Sequence, residues 1–265
     1  MKKTSTSKQE AMPISAKGSQ RTSAVLLFSL LPFRLVFFAV FQVLITILLA
    51  LAAVKNPWQA SSAWWLITAA LTNIITILLL IHLLKKEEMT YFQVFRFENQ
   101  TVKKDLLVLL GIILLSGLVA MLPSSLGGQW IFGSTQIANN LLIQPLPLWA
   151  AWAALFIFPI SIAFAELPIY FGYLMPRLDK RFENKWLAIL LPVLFLAGQH
   201  MSLPLIFNGQ FILWRLIAFL PFALMLGLFI HWRPRMLAYL MIVHGLIDMA
   251  TAVLVLMVSI GMPIA

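Results

Sequence analysis

The chain contains no cysteine and few charged residues. Without cysteine, disulfides, thiol nucleophiles and thiolate metal sites are all excluded. Charged residues make up only 11% of the 265 residues and hydrophobic residues make up 62%, a composition outside the range of soluble globular proteins. Because helices satisfy their own backbone groups in lipid, the sequence predicts an all-α, polytopic protein embedded in a lipid bilayer.

Seven mainly apolar stretches have about the length, roughly 20 residues, that a helix needs to cross a bilayer. They run from Ala24 to Val54, Trp64 to Leu84, Leu106 to Leu122, Leu148 to Met175, Trp186 to Leu203, Phe211 to Ile230 and Met236 to Ile260. We therefore expect a multi-pass protein of the cell membrane with about seven spans. Residues 24–147 would form N-terminal transmembrane helices, residues 148–265 a C-terminal core of four helices, and residues 1–23 a polar cytoplasmic tail.

The positive charges lie mainly between the apolar stretches. The net charge is +10, yet the longest predicted external loop, residues 123–147, contains neither Lys nor Arg. Positive charge collects on the cytoplasmic side of membrane proteins, so the pattern predicts an N-terminus inside and no nucleic-acid partner. Arg34 and Arg215 lie within apolar stretches, and we expect both to extend their charged ends to the membrane surface.

Four polar residues lie deep inside the predicted spans: Glu166, His200, His244 and Asp248. Glu166 and Asp248 are the only two of nine acidic residues well inside an apolar stretch. An ionisable group at bilayer depth is unfavourable by about 2.5–3.5 kcal/mol on insertion scales, and such groups usually serve a function. His244 and Asp248 are four positions apart and therefore share a helix face.

These residue types fit two kinds of chemistry. A carboxylate, two imidazoles and a second carboxyl group in a dry cavity can activate a water molecule for attack on a carbonyl, or they can bind a divalent metal. Pro168, two positions after Glu166, has no amide hydrogen and frees the carbonyl of Phe164, so we expect the helix to bend or open beside the carboxylate.

Two other polar residues lie at similar depth. Asn73 is expected to form a hydrogen bond between helices. Gln199 directly precedes His200, and we expect it to point to a different helix face and to have no direct role.

Three segments, residues 166–174, 195–200 and 244–248, resemble in order and spacing the motifs of the CAAX protease and bacteriocin-processing family of intramembrane endopeptidases. The resemblance covers about residues 150–255. It implies that Glu166 and His200 hold and deprotonate the attacking water, and that His244 and Asp248 stabilise the oxyanion. The implied substrate is a peptide or a membrane-associated protein, and a bound metal remains an open question.

The chain departs from the usual motifs at four positions, one of them in the second motif, where Leu196 stands in place of the usual Phe. The first motif usually reads Glu-Glu-x-x-x-Arg, and here Leu167 and Phe171 stand at the second Glu and the Arg. The third motif often ends in Asn, where this chain has Asp248. An ionised Asp can only accept hydrogen bonds, so we expect Asp248 to be protonated, to bind a metal or to orient His244.

Two other functions fit the same sequence. One is a non-catalytic membrane protein of the same fold, either a bacteriocin-immunity factor or a peptide receptor. The other is a proton- or cation-coupled carrier, because buried Glu, Asp and His residues also form proton relays.

Overall fold

A computed structural model of the protein describes residues 23–95 and 102–262. The predicted cytoplasmic tail lies almost entirely outside these residues. The helices are α1 (Ala24–Leu30), α2 (Phe33–Leu51), α3 (Pro57–Ser61), α4 (Trp65–Lys86), α5 (Val102–Phe132), α6 (Thr135–Leu142), α7 (Leu148–Leu167), α8 (Met175–Phe182), α9 (Lys185–Gln199), α10 (Gly209–Trp232) and α11 (Met236–Ser259). Short 3-10 turns occupy Ser62–Trp64 and Tyr91–Val94, and a π-helix, Pro168–Leu174, joins α7 to α8.

The protein is an all-α, multi-pass membrane protein, as the sequence predicts. Within residues 23–95 and 102–262, six helical segments are long and apolar enough to cross a membrane. The predicted span from Trp186 to Leu203 corresponds to α9, a shorter apolar helix of 15 residues. At 1.5 Å per residue such a helix reaches only about three quarters of the way through the hydrocarbon layer. The total number of spans and the side of the N-terminus stay predictions.

Helix α9 ends inside the protein, and an irregular segment, residues 200–208, follows its last turn. Irregular backbone is tolerated at membrane depth only where protein groups satisfy it. Arg215 donates from Nε to the carbonyl of His200 (3.0 Å) and from Nη2 to that of Leu203 (2.8 Å). Gln42 of α2 bonds both the amide and the carbonyl of Leu205, at 2.7 and 2.9 Å.

The expectation that Arg215 reaches the membrane surface is therefore wrong. Its side chain is buried, with 2% of the residue exposed, and its charge faces the carbonyls of the irregular segment. Those carbonyls require donors that lipid cannot provide, and a guanidinium supplies several in a fixed arrangement.

Replacing Arg215 by methionine is expected to lower the melting temperature of the detergent-solubilised protein by roughly 10 °C. The carbonyl of Leu203 would lose its donor and that of His200 would keep only the amide of Leu203; an unsatisfied buried carbonyl costs about 1–3 kcal/mol, and a protein of this size loses about 2–4 °C per kcal/mol. The exposed Arg233 provides the matched control, since Arg233→Met should shift the midpoint by no more than about 2 °C. Equal shifts in both variants would contradict this role of Arg215.

The two helices that carry the acidic candidates pack directly against each other. Helix α11 packs against α7, and Gly245 lies close to the backbone of α7. A Cβ atom built on Gly245 would lie 2.9 Å from the carbonyl oxygen of Pro159 and 3.1 Å from Cβ of Ala163. The absence of a side chain at this position thus lets α11 bring its polar residues next to those of α7.

Candidate active site

Glu166 is the penultimate residue of α7, and the π-helix Pro168–Leu174 begins two positions later. This break is the opening that the sequence predicts at Pro168, and π-helical turns frequently occur at functional sites. The freed carbonyl of Phe164 accepts a hydrogen bond from the hydroxyl of Tyr91. Burial raises the pKa of Tyr91 above its ordinary value, so this hydroxyl keeps its proton and remains a donor.

The carboxylate of Glu166 lies beside His244, as the sequence predicts. Glu166 is 1% exposed, and its Oε1 lies 2.9 Å from Nε2 of His244. The same Nε2 is 3.4 Å from Oδ2 of Asp248, one turn further along α11. His244 Nε2 is hydrogen-bonded to Glu166, whereas His244 Nδ1 and Asp248 Oδ2 are both buried without a hydrogen-bond partner among the described residues.

The imidazole of His200 is held by a hydrogen bond to a backbone carbonyl and by stacking on a phenyl ring. Its Nδ1 lies 2.8 Å from the carbonyl oxygen of Leu196, which can only accept, so Nδ1 carries the proton. In the neutral ring Nε2 is then the acceptor. The imidazole stacks on Phe219 with 3.6 Å between ring centroids and 13° between planes, and Arg215 lies over the same phenyl ring at 4.6 Å.

Glu166, His200 and His244 line one small cavity in the protein interior. Its volume is about 10 Å³, close to the minimum space that a single water molecule requires. The remaining walls are apolar: Leu196, Phe219, Phe222, Ala223 and Leu226. The structure therefore brings three of the four sequence candidates around a water-sized space, and Asp248 contacts the third of them, His244.

Two residues that were expected to play no part contact Glu166 directly. Arg34 of α2 donates from Nη2 to Glu166 Oε2 at 3.2 Å, and Gln199 donates from Nε2 to the same oxygen at 2.6 Å. The expectation that Arg34 reaches the membrane surface is therefore wrong, and Gln199 contacts the carboxylate although no direct role was expected for it. Asn73 forms the expected bond between helices, donating to Ser161 Oγ at 3.0 Å, and it also accepts from Arg34 at 2.9 Å.

Leu167 and Phe171, the two departures in the first motif, are both fully buried. They pack with other apolar residues in the main hydrophobic cluster. The end of α7 and the π-helix thus present hydrocarbon where the usual motif presents a second Glu and an Arg. A cation does reach Glu166, but it comes from α2.

A larger apolar groove, about 580 Å³ in volume, lies between α7 and α11. Phe92 and Phe95 are among the residues that line it. The groove and the water-sized cavity share no lining residue, and Gly245 and Pro159, which lie close together, both line the groove.

Residues 147–250 match the family described as type II CAAX prenyl endopeptidase, Rce1-like. The family resemblance seen in the three motifs is confirmed. The match covers less than half of the chain and includes Glu166, His200, His244 and Asp248, whereas Arg34 lies outside it. Comparison with curated proteins and with solved structures gives no match. The Rce1-like segment implies a CAAX-type intramembrane protease that acts on peptide or protein substrates.

The sequence left a divalent metal open, and the arrangement of donors does not favour one. Within residues 23–95 and 102–262, no group of three or more His, Asp or Glu residues is placed to hold a metal ion. Both oxygens of Glu166 already contact protein donors, Arg34 and Gln199 on one side and His244 on the other.

Proposed function

We propose that the protein is an intramembrane endopeptidase that cleaves a peptide or membrane-associated protein with a water molecule activated by Glu166 and His200. The observation that carries this proposal is the cavity of about 10 Å³ between Glu166, His200 and His244. A water molecule there would contact a carboxylate and an imidazole in otherwise apolar surroundings, which is the arrangement that general-base catalysis needs.

The two histidines would have different roles. His200 holds its Nδ1 proton on the Leu196 carbonyl, so its Nε2 accepts a bond from the water and orients it. Glu166 takes the proton as the water attacks. His244 keeps Nε2–H between Glu166 and Asp248, so its unpartnered Nδ1 is the atom that would meet the oxygen of the scissile carbonyl, with a proton on Nδ1 needed for that contact.

Asp248 would orient His244. Of the three roles that the sequence left open for it, this one is supported by the distance of 3.4 Å between Asp248 Oδ2 and His244 Nε2. A carboxyl group that contacts one ring nitrogen fixes the orientation of the imidazole and the position of its other nitrogen.

Hydrolysis can be tested directly with isotope-labelled water. The full chain, purified in detergent, is incubated in ¹⁸O-water with peptides derived from membranes and with a farnesylated peptide that ends in a CAAX sequence. We expect new peptides, found by mass spectrometry, that carry one ¹⁸O at the new carboxyl terminus. A parallel reaction with EDTA measures metal dependence, and a Glu166→Gln preparation reveals any contaminating protease.

Products that appear equally with wild type and with Glu166→Gln protein would overturn the proposal, as would a folded wild type that yields no product. In either case the non-catalytic immunity or receptor function would become the better explanation. If EDTA abolishes the product, activation of the water by Glu166 and His200 without a metal is overturned, whereas the protease function stands.

A further inference from the structure

Arg34 is the most extensively bonded side chain around Glu166. It is fully buried, and its guanidinium donates to Gln199 Oε1 (2.8 Å), Asn73 Oδ1 (2.9 Å), Thr76 Oγ1 (3.3 Å) and Glu166 Oε2 (3.2 Å). These partners come from α4, α7 and α9. One side chain of α2 therefore joins three other helices at the carboxylate.

These bonds give the two oxygens of Glu166 separate partners. Oε2 accepts from Arg34 and from Gln199, whose own Oε1 accepts from Arg34 and from the Tyr170 hydroxyl. Among the described residues, Oε1 has one hydrogen-bond partner, His244. With Oε2 anchored, rotation of the carboxylate is restricted, and Oε1 keeps a fixed position relative to His244.

Charge favours the same arrangement. A carboxylate in the membrane interior is costly unless a counter-charge and hydrogen bonds compensate it. The first motif supplies no counter-charge here, since Leu167 and Phe171 are apolar and fully buried. Arg34 supplies the counter-charge through its ion pair with Glu166. A guanidinium is suited to holding a carboxylate because its donors lie in a rigid plane.

We propose that Arg34 is a positioning residue for Glu166, so that α2, outside the Rce1-like segment, completes the active site. This inference rests on the proposed function, because positioning has a measurable effect only where Glu166 performs chemistry. Arg34 touches no substrate in this scheme. It acts through Glu166, directly and through Gln199.

The protein offers a matched control in a second buried ion pair. Arg177 donates from Nε to Glu87 Oε1 at 3.0 Å, and its guanidinium lies 3.6 Å from the ring of Tyr173. Both members of the pair are buried. Arg177 does not line the cavity, so its loss should affect stability without affecting the position of Glu166.

The test measures kcat, KM and melting temperature for the full chain in detergent with an internally quenched farnesylated CAAX peptide. Arg34→Gln is expected to lower kcat about 100-fold, the cost of a misplaced reacting group, with KM changed less than about threefold. Arg34→Lys should recover part of kcat, because the charge returns without the planar donors. Arg177→Gln should lower the melting temperature and leave kcat within about threefold of wild type.

A folded Arg34→Gln protein with the kcat of Arg177→Gln would overturn the inference. If Arg34→Gln does not fold, Gln199→Met decides, because it removes the amide without adding or removing a charge. We expect its kcat to fall about tenfold at unchanged KM, and an unchanged kcat would overturn the inference. Wild-type protein without Glu166-dependent product would instead overturn the proposed function, and this inference with it.

Discussion

Glu166→Gln protein is expected to cleave its substrate about 10⁴-fold more slowly than wild type, the upper range of the contribution from a general base. Glutamine has nearly the same shape, and its amide oxygen can still accept from Arg34 and Gln199, which bond Glu166 Oε2. It cannot take a proton from water. The loss should therefore appear in kcat, measured at saturating peptide, while substrate binding is largely retained.

The control for this prediction is Glu183→Gln, because Glu183 is exposed at the end of α8. It should cleave at the wild-type rate. A loss of less than about tenfold in a folded Glu166→Gln protein would remove Glu166 from the role of base.

The companion variant His200→Ala tests whether both residues act on the same water. Residues that act as a unit give losses that do not add. The Glu166→Gln, His200→Ala double variant should thus be little slower than Glu166→Gln alone. If the loss in the double variant equals the product of the two single losses, the two side chains act in separate steps, although they line one cavity.

The four candidate residues could be found from the sequence because ionisable groups in apolar helices are rare and costly. Helix periodicity and the chemistry of proline also predicted two local features correctly. The spacing of His244 and Asp248 puts them on one face of α11, where they lie 3.4 Å apart. Pro168 lacks an amide hydrogen, and the chain forms a π-helix at that residue.

The environment of Glu166 could not be found in this way because it depends on contacts between distant segments. Arg34 is the second residue of α2, a position from which an arginine normally reaches the membrane surface. Nothing local shows that α2 instead packs this side chain inward. One signal was present: Arg34 and Gln42, two polar residues of an otherwise mainly apolar helix, both belong to its buried stripe.

Gln199 was misjudged for a different reason. Neighbouring helical residues do point in different directions, but a carboxylate on another helix can lie between them. Gln199 bonds Glu166 Oε2, and His200, where α9 ends, lines the cavity on which Glu166 also borders. Helical periodicity describes one helix at a time and does not predict how two side chains enclose a third.

His244→Ala is expected to lower kcat about 10³-fold, whereas Asp248→Ala should lower it by roughly 30-fold and Asp248→Asn by less. Removal of one donor to a developing oxyanion costs about 10²–10³-fold, and the alanine also removes the contact of Glu166 Oε1. Asp248 acts through His244 at 3.4 Å, so its loss allows the ring to turn without deleting it. Asparagine keeps an oxygen acceptor at that place.

The order of these three rates separates the two interpretations of Asp248. If Asp248 only orients the imidazole, the amide of Asp248→Asn protein can hold Nε2–H through its oxygen, and the rate should exceed that of Asp248→Ala. If Asp248 itself exchanges a proton during the reaction, asparagine should be as harmful as alanine, since neither side chain can carry one. Rates of Asp248→Asn and Asp248→Ala proteins that both equal that of His244→Ala would therefore contradict an orienting role, because a residue that acts only through His244 should cost less than the loss of His244 itself.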